Sequence, residues 1–392
     1  MKRSIDRIRT THTGSMPRPR EIFELMRARA DGAPVDSKAF ESLLKAHVAQ
    51  IVRRQVEAGI DVVNDGECSK VSFNNYVAER LAGFEGRLPP GGLGAPTGPI
   101  GIGGRDYLQF RDYYENVLKH NPFAGVIRVP PQVCVGPIAY AGQAQVQRDI
   151  DNLKAAMAAA GADEGFLPAI SPLPMMKNEY YASEEEFALA HAEAMREEYR
   201  AILDAGLLLQ IDDPRMVSTW DGMNEASLAD YRKWMEKRVE LINHALRGLP
   251  AERIRYHTCY GVNFGPRLSD LQLEDVIDIL FRINAGAYSF EAANPRHEHE
   301  WRLPQRMRIP EGKLLIPGIV THSNVMVEHP QAIADRIERW AQAAGRENIL
   351  VGNDCGFQST AGNTEIPISV AWAKLAALGE GARIASERLW RA

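Results

Sequence analysis

The sequence predicts an α/β protein built as a (β/α)8 TIM barrel, with a long excursion between its second and third strands. Three observations carry that prediction. Eight short apolar runs recur along the 392 residues, and most are separated by helical patterns. Strands alternating with helices imply βαβ units and a parallel sheet. The runs end in polar residues, as barrel strands do at the face where active sites are built. Composition fits a folded chain, with 45% hydrophobic and 25% charged residues.

The runs are IRTTHTG (8–14), GIDVVNDGE (59–67), GFLPAISP (165–172), LLLQIDDP (207–214), IRYHTCYG (254–261), AGAYSFEAA (285–293), LLIPGIVTHS (314–323) and ILVGNDCGF (349–357). Helical patterns cover 37–58, 184–205, 225–247, 269–281 and 330–345. A ninth strand-like run, QVCVGPIAY (132–140), follows a stretch dense in Gly, Pro and aromatics. Residues 85–145 therefore read as an insertion or lid within one domain spanning 1–392. Long connections of this kind serve a function more often than not. The runner-up architecture is an open doubly wound sheet.

Several function classes drop out. Net charge is -5, so the basic face of a nucleic-acid binder is not expected. No run reaches the ~18–20 apolar residues of a membrane span. The opening MKRSIDRIRTTHTGS has no apolar core, so no secretory leader is expected and the cytoplasm is the expected compartment. An oligomer is compatible with this composition. Four cysteines are few for a disulfide framework and suit reduced thiols that act as ligands or nucleophiles.

Six of the eight run ends carry ionisable or thiol groups: Asp65 and Glu67, Asp212 and Asp213, His257 and Cys259, Glu291, His322, and Asp354 and Cys355. In His257-Thr258-Cys259 the strand alternation puts His257 and Cys259 on one face, about 7 Å apart, with Arg255 one step earlier. Tyr256 and Thr258 face the other way. Singly, each cysteine reads as a buried core thiol and His257 as a core histidine. Together with Glu291 and Cys355 at neighbouring strand ends, they could form one tetrahedral zinc set, His257, Cys259, Glu291 and Cys355. Cys68 and Cys134 read as ordinary thiols.

The run YHTCYGVNF (256–264), SFE (289–291) and NDCGF (353–357) resemble the zinc segments of cobalamin-independent methionine synthase, in its C-terminal catalytic barrel. The resemblance spans residue 8 to about 360. It implies Zn2+ held by His257, Cys259, Glu291 and Cys355. HTGSMPRP (12–19) matches the element that holds the amino-acid carboxylate, which implies Gly14 and Ser15. The segments at 65–67 and 211–214 imply Glu67 and Asp212 at the substrate amine. VTHS (320–323) implies that His322 handles a proton. The implied reaction is methyl transfer to homocysteine, giving methionine, from a methylated folate or a methyl corrinoid protein.

The sequence departs from the large enzymes in three ways. It lacks their N-terminal folate-binding half, which weakens a folate donor. Asp65 and Asp213 replace a histidine and a glutamate. The segment AANPRHEHEW (292–301) resembles instead the short single-barrel branch that contains epoxyalkane:coenzyme M transferase. A thiol alkyltransferase of that type is the nearest alternative, and a metal-free uroporphyrinogen-type decarboxylase is the alternative of another class. A sulfonate thiol would need cations, for which Arg18, Arg20, Arg215, Arg282, Arg296, His297 and His299 are available, and Trp220 and Trp301 are candidates to floor the pocket.

Overall fold

The computed structural model describes residues 1–90, 103–119, 124–261, 265–363 and 366–391. Ten strands are assigned among them: β1 (Val62–Val63), β2 (Leu81–Gly86), β3 (Gln132–Tyr140), β4 (Glu164–Ile170), β5 (Lys177–Asn178), β6 (Leu208–Asp212), β7 (Ile254–His257), β8 (Ala287–Phe290), β9 (Leu314–Val320) and β10 (Gly352–Asn353). Seven form a parallel sheet in the order β1-β4-β6-β7-β8-β9-β10. The run at 8–14 closes it: Thr10 bridges Val351 and Thr11 bridges Val62, both in parallel. Eight segments thus make a ring, and the fold is a (β/α)8 barrel.

The first segment pairs over two residues only, shorter than its run suggests. Past Thr11 the ladder gives way to side chains, and the Thr13 amide donates to Asn353 Oδ1 at 2.8 Å. Gly14 then turns the chain with φ +132°, where a Cβ would stand 2.9 Å from Asn64 Nδ2. Only glycine meets both demands cheaply.

The alternation of each strand divides the core in two. Val62, Phe166, Leu208, Ala287, Leu314, Ile316 and Leu350 plug the barrel interior. The larger cluster, including Leu209, Ile211, Ile254, Tyr256 and Tyr288, lies between barrel and helices. The principal helices are Ser37–Glu57, Gln143–Ala160, Glu184–Asp204, Leu228–Leu246, Pro330–Ala344 and Ile368–Trp390. Several start at side-chain caps that satisfy orphan amides. Asp36 Oδ1 accepts from Lys38 N, and Ser183 Oγ from Glu186 N at 3.1 Å.

The helix expected over 269–281 is not there. The chain makes a 3-10 turn at Leu273–Asp275 and a four-residue helix at Ile277–Leu280. Tertiary partners take the backbone groups a helix would need. Tyr260 Oη donates to the Leu271 carbonyl at 2.6 Å, and the Leu273 amide donates to Glu300 Oε1 at 3.1 Å.

At the excursion, β2 pairs antiparallel with β3, and β5, which follows β4 in the chain, adds to β3 in parallel. Short helices at Arg105–Gln109 and Arg111–Lys119 follow β2. Residues 91–102 and 120–123 of the excursion, and 262–264 of the YHTCYGVNF run, lie outside the described residues.

Candidate metal centre and substrate cavity

A cavity of about 650 Å³ opens at the C-terminal ends of the barrel strands. Ser15, Glu67, Asp212, His257, Cys259 and Cys355 all line it. Pro89, Ile127, Val129 and Pro131 of the excursion form part of its wall.

His257, Cys259 and Cys355 bring their ligand atoms within 4.8 Å of one another, and all three are buried. The two sulfurs lie 3.0 Å apart without a disulfide. His257 Nδ1 contacts Ser289 Oγ at 3.1 Å, while Nε2 is buried without a hydrogen bond among the described residues. An orphaned imidazole nitrogen beside two thiols is the donor set a zinc ion accepts. Burial, with Arg255 and His322 nearby, pushes His257 down to about 3, so its ring is neutral, as a ligand must be. Cys355 is held well above the ordinary thiol range by its contact with Cys259 and by burial.

Glu291, expected as the fourth ligand, does not line the cavity and groups instead with His322 and Asp354, whose ligand atoms lie within 4.8 Å of one another, although its charge acts on Cys355. Its Oε1 accepts from the Tyr260 amide at 2.8 Å. Its Oε2 accepts from Arg267 Nη1 at 2.9 Å and Asn294 Nδ2 at 2.8 Å. Asp354 takes the amides of Ala292, Ala293 and Asn294 at 2.7, 2.8 and 3.0 Å, which fixes the loop after Glu291. His322 is buried behind the cavity wall, and burial lowers it to about 4.

On the neighbouring strand Asp212, the register partner of His257, shares the inner face of β6 with Gln210 and Leu208. Gln210 Nε2 donates to Asp212 Oδ1 at 2.7 Å and to the Thr13 carbonyl at 2.6 Å. Burial, and then the charge of Glu67, raise Asp212 well above the carboxylate range. Glu67 has φ +53°, and its Oε2 is buried with no hydrogen bond among the described residues, 3.8 Å from Arg18 Nη2. Two acids facing a cavity with an unsatisfied oxygen suit an ammonium group. Asp213 points outward instead, accepting from Tyr256 Oη at 3.2 Å. Ser15 Oγ donates to the Gln358 carbonyl and accepts from Arg18 Nη1 at 3.1 Å. Gly14 packs beneath Glu67, where a Cβ would lie 3.2 Å from Oε1.

Beneath the site, the Arg255 guanidinium fills the barrel. It donates to Thr11 Oγ1 at 2.8 Å and the His12 carbonyl at 3.0 Å, and lies 4.2 Å over the Phe166 ring. Burial lowers it to about 9.

Arg296, His297, His299, Trp220 and Trp301 do not line the cavity. His297 is buried between Asp270 and Glu300, at 3.1 and 2.8 Å, and His299 is exposed. Arg18 is spent on Ser15 and on backbone carbonyls. Of the suggested cations Arg215 reaches the cavity, joined by Arg128. Sequence reasoning missed Gln210, Arg267 and Asn294. Gln210 was visible as a polar residue in an apolar run, two before Asp212; Arg267 and Asn294 sit in loops with no periodicity to mark them.

A family described as "Cobalamin-independent synthase, Catalytic domain" matches residues 8–89 and 172–377. Methionine synthases of Saccharolobus islandicus (strain Y.G.57.14) and Thermococcus kodakarensis are 24% and 25% identical, over 97% of this chain and 96% and 94% of theirs. Among solved structures, a B12-independent methionine synthase from Shewanella sp. W3-18-1, in complex with selenomethionine, superposes with TM-score 0.71. It is 20% identical and covers 98% of this chain and 99% of its own. A putative vitamin-B12 independent methionine synthase from Listeria monocytogenes gives 0.64 at 19% identity, over 98% and 99%. Both likenesses concern the fold.

Proposed function

Because the chain belongs to the cobalamin-independent methionine synthase family through its catalytic domain, we propose that it is a zinc-dependent methyltransferase that makes methionine from homocysteine. The observation that carries the reading is the buried trio of His257, Cys259 and Cys355 on the cavity wall, with a bare Nε2. These residues, with Glu291 beside them, would hold the zinc. Bound there, zinc would keep a substrate thiol as thiolate at neutral pH.

The chain's own groups place the rest. Asp212 and Glu67 receive the ammonium group of homocysteine, and the Gly14–Ser15 segment receives its carboxylate. The thiolate sulfur attacks the methyl carbon. The methyl–nitrogen bond of a methylated folate breaks, its electron pair stays on nitrogen, and that nitrogen takes a proton. His322, neutral at working pH, is the residue proposed to manage that proton. Pro89, Ile127, Val129 and Pro131 of the excursion, on the cavity wall, shield the sulfur from water. A corrinoid-protein donor finds no support in a family described as cobalamin-independent, and a metal-free decarboxylase finds none in this family either.

A second reading keeps the site and changes the thiol. Arg128 and Arg215 on the cavity wall suit an anionic thiol such as coenzyme M, which would open an epoxide. Zinc-edge X-ray absorption tests both. One zinc with two sulfurs, rising to three with homocysteine, is expected; a third sulfur only with coenzyme M moves the assignment to the second reading. Protein without zinc, and without uptake of added zinc, overturns both.

A further inference from the structure

The cavity is larger than one amino-acid thiol needs, so a second reactant has room in it. Depth orders its lining. His257, Cys259, Cys355, Glu67 and Asp212 are buried at its deep end, and Pro89, Arg128, Met175 and Arg215 are exposed at its rim. Between them the wall is largely apolar, with Phe73, Ile127, Val129 and Pro214. Among the described lining residues both acids sit at the deep end and both arginines at the rim. Arg215 opens the helix Arg215–Gly222 shortly after Asp212, and its guanidinium makes no hydrogen bond or ion pair among the described residues. The acid just before it is committed elsewhere: Asp213 accepts from Tyr256 Oη at 3.2 Å and lies 3.7 Å from Arg238 Nη2. Partial burial, and then the charge of Arg238, lower the Arg215 pKa against the pull of Asp213. An arginine stays charged even so, and a cation without a partner beside a cavity draws an anion into it.

We propose that Arg215 selects the methyl donor, by binding a carboxylate at the end of that molecule remote from its methyl group. The inference rests on the methyltransferase reading above and adds the donor's chemistry to it. Homocysteine has its charges met at the deep end, the ammonium by Asp212 and Glu67 and the carboxylate by the Gly14–Ser15 segment. It leaves no charge for a cation at the rim. The donor must bring its methyl to the sulfur at the deep end, so its other end points to the rim. An uncharged tail would cover Arg215 without pairing it, which costs desolvation. A carboxylate pairs with it through two parallel N–H donors. The apolar wall between suits the flat rings that separate methyl from carboxylates in a methylated folate.

The test is calorimetric binding of methyl-tetrahydrofolate and of methyl-tetrahydropteroate, which lacks the glutamyl carboxylates, to the full zinc-loaded chain. Arg215→Met should weaken the folate by about tenfold or more and leave the pteroate within about twofold. Zinc content and homocysteine binding should stay at parent values, and Arg215→Lys should keep most of the folate affinity. High salt should weaken folate binding in the parent and not in Arg215→Met, which a merely structural role would not produce. Arg215→Gln serves if Arg215→Met fails to fold. Folate affinity unchanged, or lost equally with the pteroate, overturns the inference. A loss confined to homocysteine or to coenzyme M makes Arg215 a thiol-binding residue and also overturns it. A parent that takes zinc and homocysteine but binds neither donor overturns the inference while the methyltransferase reading stands. A parent that takes up no zinc overturns both.

Discussion

Cys259 and Cys355 meet at 3.0 Å although 96 residues separate them, and that contact is the centre of the site. Replacing either with serine exchanges a soft thiolate for a hydroxyl that stays protonated. We expect zinc affinity to fall by more than about 100-fold, read as metal content after dialysis, with the far-UV circular dichroism intact. Removing the metal should expose a second property. The metal-free protein, mildly oxidised, should lose two titratable thiols together, and zinc should protect them; loss of Cys68 or Cys134 instead would refute the pairing. At Asp212 the expected loss is the charge-assisted hydrogen bond to the substrate amine, about 1.5–3 kcal/mol. Asp212→Asn should therefore raise the KM for homocysteine about 10- to 100-fold. Because burial and Glu67 raise the Asp212 pKa, its carboxylate is lost earlier on acidification than an ordinary one. KM in the parent should climb as pH falls, and the climb should vanish in Asp212→Asn.

The elements hold these residues by caps and close approaches. Ser183 caps Glu184–Asp204, the helix that leads into β6 and Asp212. Ser183→Ala should cost about 1 kcal/mol in a urea melt, without changing activity at saturating substrate. In Ile368–Trp390, Gly379 lies against Ala58, and a Cβ there would fall on the Ala58 carbonyl oxygen. Alanine normally gains about 1 kcal/mol over glycine inside a helix. Here the overlap wins, and Gly379→Ala should destabilise by about 1–3 kcal/mol. The excursion is the element whose motion we propose matters. Homocysteine should slow protease cleavage within 85–145, and a rate indifferent to substrate would count against closure.

The whole molecule stores opposing protonation demands. Burial drives His12 and His191 down to about 3 and about 4 from an ordinary 6.5. The unfolded chain therefore takes those protons first, and stability is lost as pH falls from 6.5 through 4. Each such histidine contributes a slope of up to about 1.4 kcal/mol per pH unit. His297 runs the other way. Burial opposes its charge, but the hydrogen bonds it donates to Asp270 and Glu300 raise it to about 9. Its contribution is complete below 6.5 and fades as pH rises through 9. Urea melts should show greatest stability near neutrality. His191→Gln should flatten the acid limb and His297→Gln the alkaline limb; limbs unchanged by either would overturn the assignment.

The sequence by itself determined the alternation of strands and helices, because those periods are local; closure into a barrel and not an open doubly wound sheet was decided by the pairing of the 8–14 segment with Val351 and Val62. It also marked Asp212, His257, Cys259 and Cys355 as neighbours, since parallel strands bring their C-terminal ends to one face. It overran where a local pattern met a tertiary competitor, as at 269–281, whose backbone groups go to Tyr260 and Glu300. It also could not place Arg296, His297 and His299, because adjacency to Glu291 in the chain does not fix which way a loop side chain turns. Only the tertiary structure decided that Glu291 answers to Arg267, and that Gln210 and Arg255 carry the polar floor of the barrel. Those are contacts between segments far apart in sequence, set by packing and charge in three dimensions, and no local period encodes them.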